Sequence, residues 1–342
     1  MSSQLQGPGP RRHPFRGVTL WVALVVWALW LVGMFSGDRF GLFPTGWFMS
    51  VTMVVGSFIA GATSEGGGAV AFPVMTLLFK IPPAVARDFS LMIQSVGMGA
   101  AAITILGSRI PVERRALLWS SLGGAVGVVL GLEYVAPHMQ PKFAKMTFLS
   151  VWLAFAFALY WINRHHAREV RTDIERFGAR HGALLIGIGV LGGIVSGITG
   201  SGLDILTFSL LVLRFRVSES IATPTSVVLM GINACVGFAW KQGLGPGMAP
   251  QAWNFWWVCV PIVVVGAPLG AHFIRNKSRL FVAAILYVSI AIQFVAGLLI
   301  IPQTKLLIAY SAGVFLFGLF LFHRMAAGGV RRLEWLSSTE EA

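Results

Sequence analysis

The chain has 342 residues, of which 56% are hydrophobic and 11% charged, and its mean hydropathy is +0.77. About a quarter of the residues of a soluble domain are charged, so this composition excludes an ordinary cytosolic or secreted enzyme. The net charge of +13 does not point to nucleic acid, because the 26 Lys and Arg fall in short clusters between apolar runs rather than along one face.

Apolar runs recur from residue 18 to residue 322, each of about 18 to 22 residues, a length that spans a hydrocarbon core of about 30 Å. Arg11, Arg12 and Arg16 precede the first run, 18–35. That run is longer than a signal-peptide core and no A-x-A pattern closes it, so it is expected to stay as a leading helix. Cys235 and Cys259 lie inside apolar runs, and all seven histidines lie near run ends or in loops. Neither a disulfide frame, a metal centre nor a haem is therefore expected, and no cofactor.

The chain matches itself at an offset of 136 residues. Gly61-Ala62-Thr63-Ser64-Glu65-Gly66 lies over Gly197-Ile198-Thr199-Gly200-Ser201-Gly202, and residues 54–90 share ten identities with 190–226 in 37 ungapped positions. The same offset carries the apolar runs near 113–135 and 144–163 onto later ones, which indicates two copies of one unit. Each copy opens with a long apolar segment interrupted by glycine and small polar residues, at 63–68 and at 199–204.

Each interruption makes either one bent crossing or a hairpin that enters and leaves on the same side. Positive charge arbitrates, since cytoplasmic loops carry the excess of Lys and Arg. With the amino terminus inside and two hairpins, nineteen of the 26 basic residues fall inside and seven outside. With bent crossings the division is fifteen to eleven, and the most basic loop, 164–180, lands outside. The expected fold is therefore an all-α polytopic membrane protein with an inverted repeat, each half a re-entrant hairpin plus three transmembrane helices, with one extra helix at each end. The boundaries read as a basic start and leading helix, 1–46; repeat 1, 47–163, with its hairpin at 47–80; a basic linker, 164–182; repeat 2, 183–300, with its hairpin at 183–216; a trailing helix, 301–323; and a polar tail, 324–342, with no fold of its own. Both termini are placed in the cytoplasm of a bacterium, and the protein in its inner membrane.

Inverted repeats with interrupted helices are a plan of secondary transporters, which hold substrate where the broken helices meet. Irregular backbone survives at membrane depth only if buried in protein or lining a wet cavity. Two half-helix starts facing each other present unpaired N–H groups and positive dipole ends, which suit a small oxyanion. Gly66, Gly67, Gly68, Gly200 and Gly202 would let backbone approach a ligand, with Thr63, Ser64, Thr199 and Ser201 adding hydroxyls that can also cap. The competing role for the glycines is the turn and helix packing alone. The expected partners are such an anion, the lipid bilayer and protons; a homo-oligomer stays open, nucleic acid is not expected, and neither is enzymatic activity.

The stretch 61–73, with Gly66-Gly67-Gly68-x-x-x-x-Pro73, and the stretch Ala222-Thr223-Pro224-Thr225-Ser226 resemble the two halves of the TauE/SafE (TSUP) family of anion exporters and permeases. The resemblance covers nearly the whole chain through its duplication. It implies transport of sulfite, of sulfonates such as sulfoacetate, or of related small organic anions. The family's Ala-x-x-Thr-Ser pattern is met at Ala222, Thr225 and Ser226. The first copy departs from it, keeping only Ala86 and Ser90, and Leu203-Asp204 replaces two glycines in the second.

Glu65 and Asp204 are acids inside membrane runs, where a carboxylate is costly and by default functional. Either they titrate and couple anion movement to protons, or they cap the half-helix starts. Ser90 with Gln94, and Ser226 with Asn233, share helix faces and could line one cavity or merely bond neighbouring helices. Arg87 and Asp88 are expected in the interface, and Glu133 to reach water. Trp47, Trp161, Trp253, Trp256 and Trp257 read as interfacial anchors. Three rival classes remain: a cation-coupled or cation carrier using Glu65 and Asp204, an anion channel, and an intramembrane protease. Against the last, no histidine sits within a membrane run to serve Thr199-Gly200-Ser201-Gly202 as base.

Overall fold

The structure is a computed structural model that describes residues 17–163, 171–274 and 279–340. Arg11, Arg12, Arg16, Arg164, Arg168, Arg275 and Lys277, on which part of the charge count rests, lie outside these. Twelve α-helices are found among the described residues: α1 (Val18–Ser36), α2 (Phe43–Ala62), α3 (Gly68–Pro73), α4 (Pro83–Gly107), α5 (Arg114–Leu130), α6 (Pro141–Asn163), α7 (Ala179–Thr199), α8 (Leu203–Ser209), α9 (Glu219–Gly243), α10 (Pro250–Ile274), α11 (Arg279–Ile300) and α12 (Lys305–Glu340). Ten helices are long and apolar enough to cross a membrane. The outward side chains form the apolar belt such a protein turns to lipid; Leu299 is 82% exposed and Trp21 70%. A lipid bilayer covers such apolar surface without an unfavourable hydration cost.

Helix boundaries follow local chemistry. Pro83 and Pro250 open their helices, where a missing N–H leaves no bond unmade. Gly200 ends α7 with φ at 86°, a left-handed cap that glycine adopts freely. The bounds recur at the offset found in the sequence: Pro83–Gly107 becomes Glu219–Gly243. A π turn follows α3 at Val74–Leu78 and another follows α8 at Leu210–Arg214, again 136 apart. The positive φ of Lys80 (55°) likewise recurs at Arg216 (59°).

Both interrupted segments fold back on themselves. Val70 of α3 lies beside Gly56 of α2, and the Phe79 ring lies tilted against Phe48 with centroids 4.1 Å apart. The order of these pairs runs the two arms antiparallel, with residues 63–67 as the tip. In the later segment Leu203 lies against Gly192 and Phe215 against His181, centroids 5.6 Å apart, which places the tip at 200–202.

Packing interleaves the two copies. α2 runs parallel to α10: Ser50 Oγ donates to Val258 O (2.9 Å), and Gly61 lies against Ala267. α5 runs parallel to α7, joined through a glycine seam. Gly123, Gly127 and Gly131 face Ile186, Val190 and Ile194, while Gly189, Gly193 and Gly197 face back. Small residues spaced by four let membrane helices approach at backbone distance, where dispersion and weak C–H···O bonds between the two backbones replace the missing hydrophobic drive. α1 is tied to α4 by a buried Thr19–Thr104 hydroxyl pair at 3.0 Å. α12 is tied to α6 by Thr147 and Tyr310 at 2.7 Å.

Three expectations are corrected. Arg87 and Asp88 are not interfacial but buried, at 8% and 1% exposure. Asp88 Oδ1 accepts from Arg87 Nε (3.1 Å) and Nη2 (3.0 Å), and its Oδ2 from Lys241 Nζ and the Ala249 amide (3.0 Å). Glu133 is half-buried and accepts the Trp240 indole N–H at 2.9 Å. Trp256 turns inward and donates to Met92 O at 3.2 Å. The segment after residue 323 is helical as far as Glu340, because α12 continues through it.

Candidate functional site

The two tips touch. Ser201 Oγ donates to the backbone oxygen of Glu65 at 3.1 Å, and these two residues are themselves 136 apart. Gln94, near the middle of α4, stands beside both: its Nε2 donates to Ser90 O (2.9 Å) and to Gly200 O (2.6 Å). Gly66 at the first tip has φ at 73°. A β-carbon there would come within 2.5 Å of Asp204 Oδ2, 2.6 Å of Gln94 Oε1 and 2.8 Å of Ser201 Oγ. Both the backbone conformation and the space therefore require glycine at this position.

The two half-helix starts differ. At the second, Asp204 Oδ1 accepts the amides of Gly202 and Ile205, both at 3.0 Å, and Ser196 Oγ accepts the amide of Leu203 at 3.1 Å. Asp204 Oδ2 accepts from Ser201 Oγ at 3.3 Å. Asp204 thus caps its own helix, and the open anion site expected at this start is closed by the protein itself. At the first start the amides of Gly66, Gly67 and Gly68 donate to no acceptor among the described residues. Around them the Ser64 and Ser90 hydroxyls and Glu65 Oε1 are buried without a partner. Buried polar atoms are almost always paired, so this concentration of unpaired ones marks a place built for a guest or for water. The adjoining cavity, lined by Met53, Ser57, Ala60, Gly67, Gln94 and Ala267 among others, is about 10 Å³, at the lower limit of the space one water needs.

The remaining sequence candidates divide. Thr63 and Thr199 serve the turns: each donates back to its own helix, to Ile59 O (2.8 Å) and Val195 O (3.0 Å), and Thr63 Oγ1 also accepts the Glu65 amide at 3.3 Å. Thr225 accepts the amide of Glu113 (2.9 Å) and so holds the start of α5. Ser226 Oγ donates to Thr223 O (2.8 Å) within α9. Neither is joined to the tips by a hydrogen bond. Asn233 is buried with both side-chain ends unpartnered, beside Gly124, which it shares with Leu203 of the second tip.

Two residues at the site are absent from the sequence candidates. Ser289 Oγ donates to Glu65 Oε2 at 3.5 Å, and Gln293 Nε2 donates to Ser289 Oγ at 2.8 Å. Both line a groove of about 690 Å³ between α3 and α11, walled by Val70, Pro73 and Val74 opposite Val288 and Ile292. Their signal in the sequence is an i, i+4 polar pair in an otherwise apolar run.

Ten helices long and apolar enough to cross a membrane among the described residues, two of which, α2 and α7, lead into interrupted segments whose polar tips meet, define a polytopic membrane protein with an internal polar centre. The chain belongs to the sulfite exporter TauE/SafE family, whose model matches residues 48–296. The matched span holds both tips, α4 and the Ser289–Gln293 pair. No curated protein and no solved structure matches the chain.

Proposed function

We propose that this protein is a secondary transporter for a small sulfur-containing anion, namely sulfite, sulfoacetate or a related sulfonate, and that it exports that anion across the bacterial inner membrane by alternating access. The observation that carries this reading is the first tip, where three amides without acceptors and two unpaired hydroxyls converge at a half-helix start. Backbone N–H groups and the positive end of a helix dipole bind oxyanions in this way. The anion is held at this one start, since the second is capped by Asp204. Family membership supplies the sulfur chemistry.

In this reading the antiparallel arms are re-entrant hairpins and the two copies are inverted, with both termini in the cytoplasm. The three long helices between the two hairpins, α4, α5 and α6, support inversion, because an odd number of crossings turns the second copy over. Exchange of partners between copies supports it as well: α2 pairs with α10, and α5 with α7. With the inside negative, export of an anion is electrically downhill by about 2.3 kcal/mol per charge per 100 mV. Glu65, with one carboxylate oxygen unpartnered, is the candidate for coupling to protons, whereas Asp204 serves as a cap.

The test is the melting temperature of purified protein in detergent against sulfite, sulfoacetate, taurine, sulfate and malonate at constant cation. A ligand at one hundred times its Kd stabilises the folded state by about 2.7 kcal/mol. A shift with one sulfur anion, lost in Ser64→Ala and Ser90→Ala, is expected. Absence of a shift with every sulfur anion, or a shift that both variants keep, would overturn the site.

A further inference from the structure

Charge at the tips is one-sided. Glu65 and Asp204 are both 0% exposed, and among the described residues neither carboxylate is bonded to a basic side chain. An ionised carboxylate left unpaired in a low-dielectric interior is among the most costly arrangements a protein can hold. Beside a bound oxyanion it would also repel the guest.

Gln94 shows where that charge is met. Both of its amide hydrogens are spent on backbone carbonyls, Ser90 O and Gly200 O, which fixes the amide's orientation. Its Oε1 is consequently an acceptor with no donor, in a side chain only 1% exposed. This oxygen, Asp204 Oδ2 and Ser201 Oγ crowd the same face of Gly66, where a β-carbon would come within 2.8 Å of all three. The Ser201 hydroxyl hydrogen is directed to Glu65 O or to Asp204, so its lone pairs stay available. One proton would serve a single pair of these oxygens, whereas an ion among them serves all three. The tips are where α2 and α7 end as well as where α3 and α8 start, so carboxyl ends, which attract cations, lie beside amino ends, which attract anions.

We propose that Asp204 Oδ2, Gln94 Oε1 and Ser201 Oγ bind a sodium ion at the tip contact. Carboxylate, amide carbonyl and hydroxyl oxygens are the donors hard cations take. Three protein oxygens are too few for calcium, which takes 6–8, and magnesium keeps several waters, so a monovalent ion is the better match to this donor set. The ion neutralises Asp204 beside the anion held by the Gly66–Gly68 amides; its coupling role rests on the anion reading, its binding does not. The replacement of two glycines by Leu203-Asp204 in the second copy then makes the two tips chemically complementary, one for each sign of charge.

The experiment compares melting temperature in sodium, potassium and choline chloride at equal ionic strength with no sulfur anion present, alongside equilibrium binding of radioactive sodium. A saturable rise specific to sodium is expected, its half-saturation moved at least about tenfold by Gln94→Leu and by Asp204→Asn, a loss of about 1.4 kcal/mol or more. Gln94→Met replaces either variant should it fail to purify as a monodisperse protein. Ser64→Ala should keep the sodium effect while losing that of sulfite, so failure of the anion site is told apart from failure of the cation site. Equal melting in the three salts, a sodium effect untouched by these variants, or a response to pH alone would overturn the proposal.

Discussion

Asp88 lies inside a membrane-spanning helix with both carboxylate oxygens occupied, by the Arg87 guanidinium on one side and by Lys241 and the Ala249 amide on the other. It thereby fixes the start of α10 against α4. Thr225 does the corresponding work for α5 by accepting the Glu113 amide, and Glu113 and Ala249 stand 136 residues apart. Asp88→Ala would leave two buried cations without a counter-charge, and the expected loss is about 3–5 kcal/mol, read as a drop in melting temperature; Lys241→Met in the same background should recover part of it. The sequence suggests the interface for these residues because Arg and Asp stand side by side near a helix start. The third partner is 153 positions away, and no local pattern announces it. Thr63, Ser64, Glu65 and Gly66 are legible as a group because polar residues interrupting an apolar run are costly in lipid. Which of their groups are spent and which are free is not legible, since that depends on hydroxyl partners such as Ser196 reaching across the tip.

At the scale of helices, the α5–α7 seam brings two backbones together with no side chain between them. A β-carbon on Gly127 would run into the carbonyl of Val190, and one on Gly193 into that of Gly124. Since the obstacle is backbone on both sides, no rotamer change relieves it. Gly127→Val is expected to cost at least the roughly 1–3 kcal/mol typical of overpacking, whereas Gly187→Val, whose β-carbon meets nothing within 4 Å, should be close to neutral. Thermal denaturation of the two variants in detergent checks the difference. Hydropathy locates every long helix here, because a run that spans lipid must be apolar throughout. It gives no account of which helix pairs with which; the spacing of small residues on α5 and α7 carries that information, and hydropathy does not weigh spacing. The π turns after α3 and α8 are likewise invisible, as nothing in composition distinguishes them from ordinary helix.

For the whole molecule, the proposed inversion has a direct measure. In a background with Cys235 and Cys259 replaced, a cysteine at Asp38 and one at Lys80 should react with an impermeant thiol reagent from the same side, and cysteines at Arg109 and Arg216 from the other. Lys80 reacting from the side opposite Asp38 would make the first interrupted segment a single bent crossing and cancel the inversion. The 136-residue offset is readable because duplication preserves element length even where side chains diverge, as the matched bounds of α4 and α9 illustrate. The exchange of partners between copies has a further meaning. α2 packs along α10, and α7 along α5, so neither copy closes a core from its own helices. Each half is therefore related to the other as two subunits of an intertwined dimer are, with the peptide link between α6 and α7 serving as a tether that raises their effective concentration. Biosynthesis inherits the same constraint: the first half must wait in the membrane with its α2 and α5 faces bare until the second is made, and a chain truncated after α6 would be a substrate for quality control rather than half a transporter.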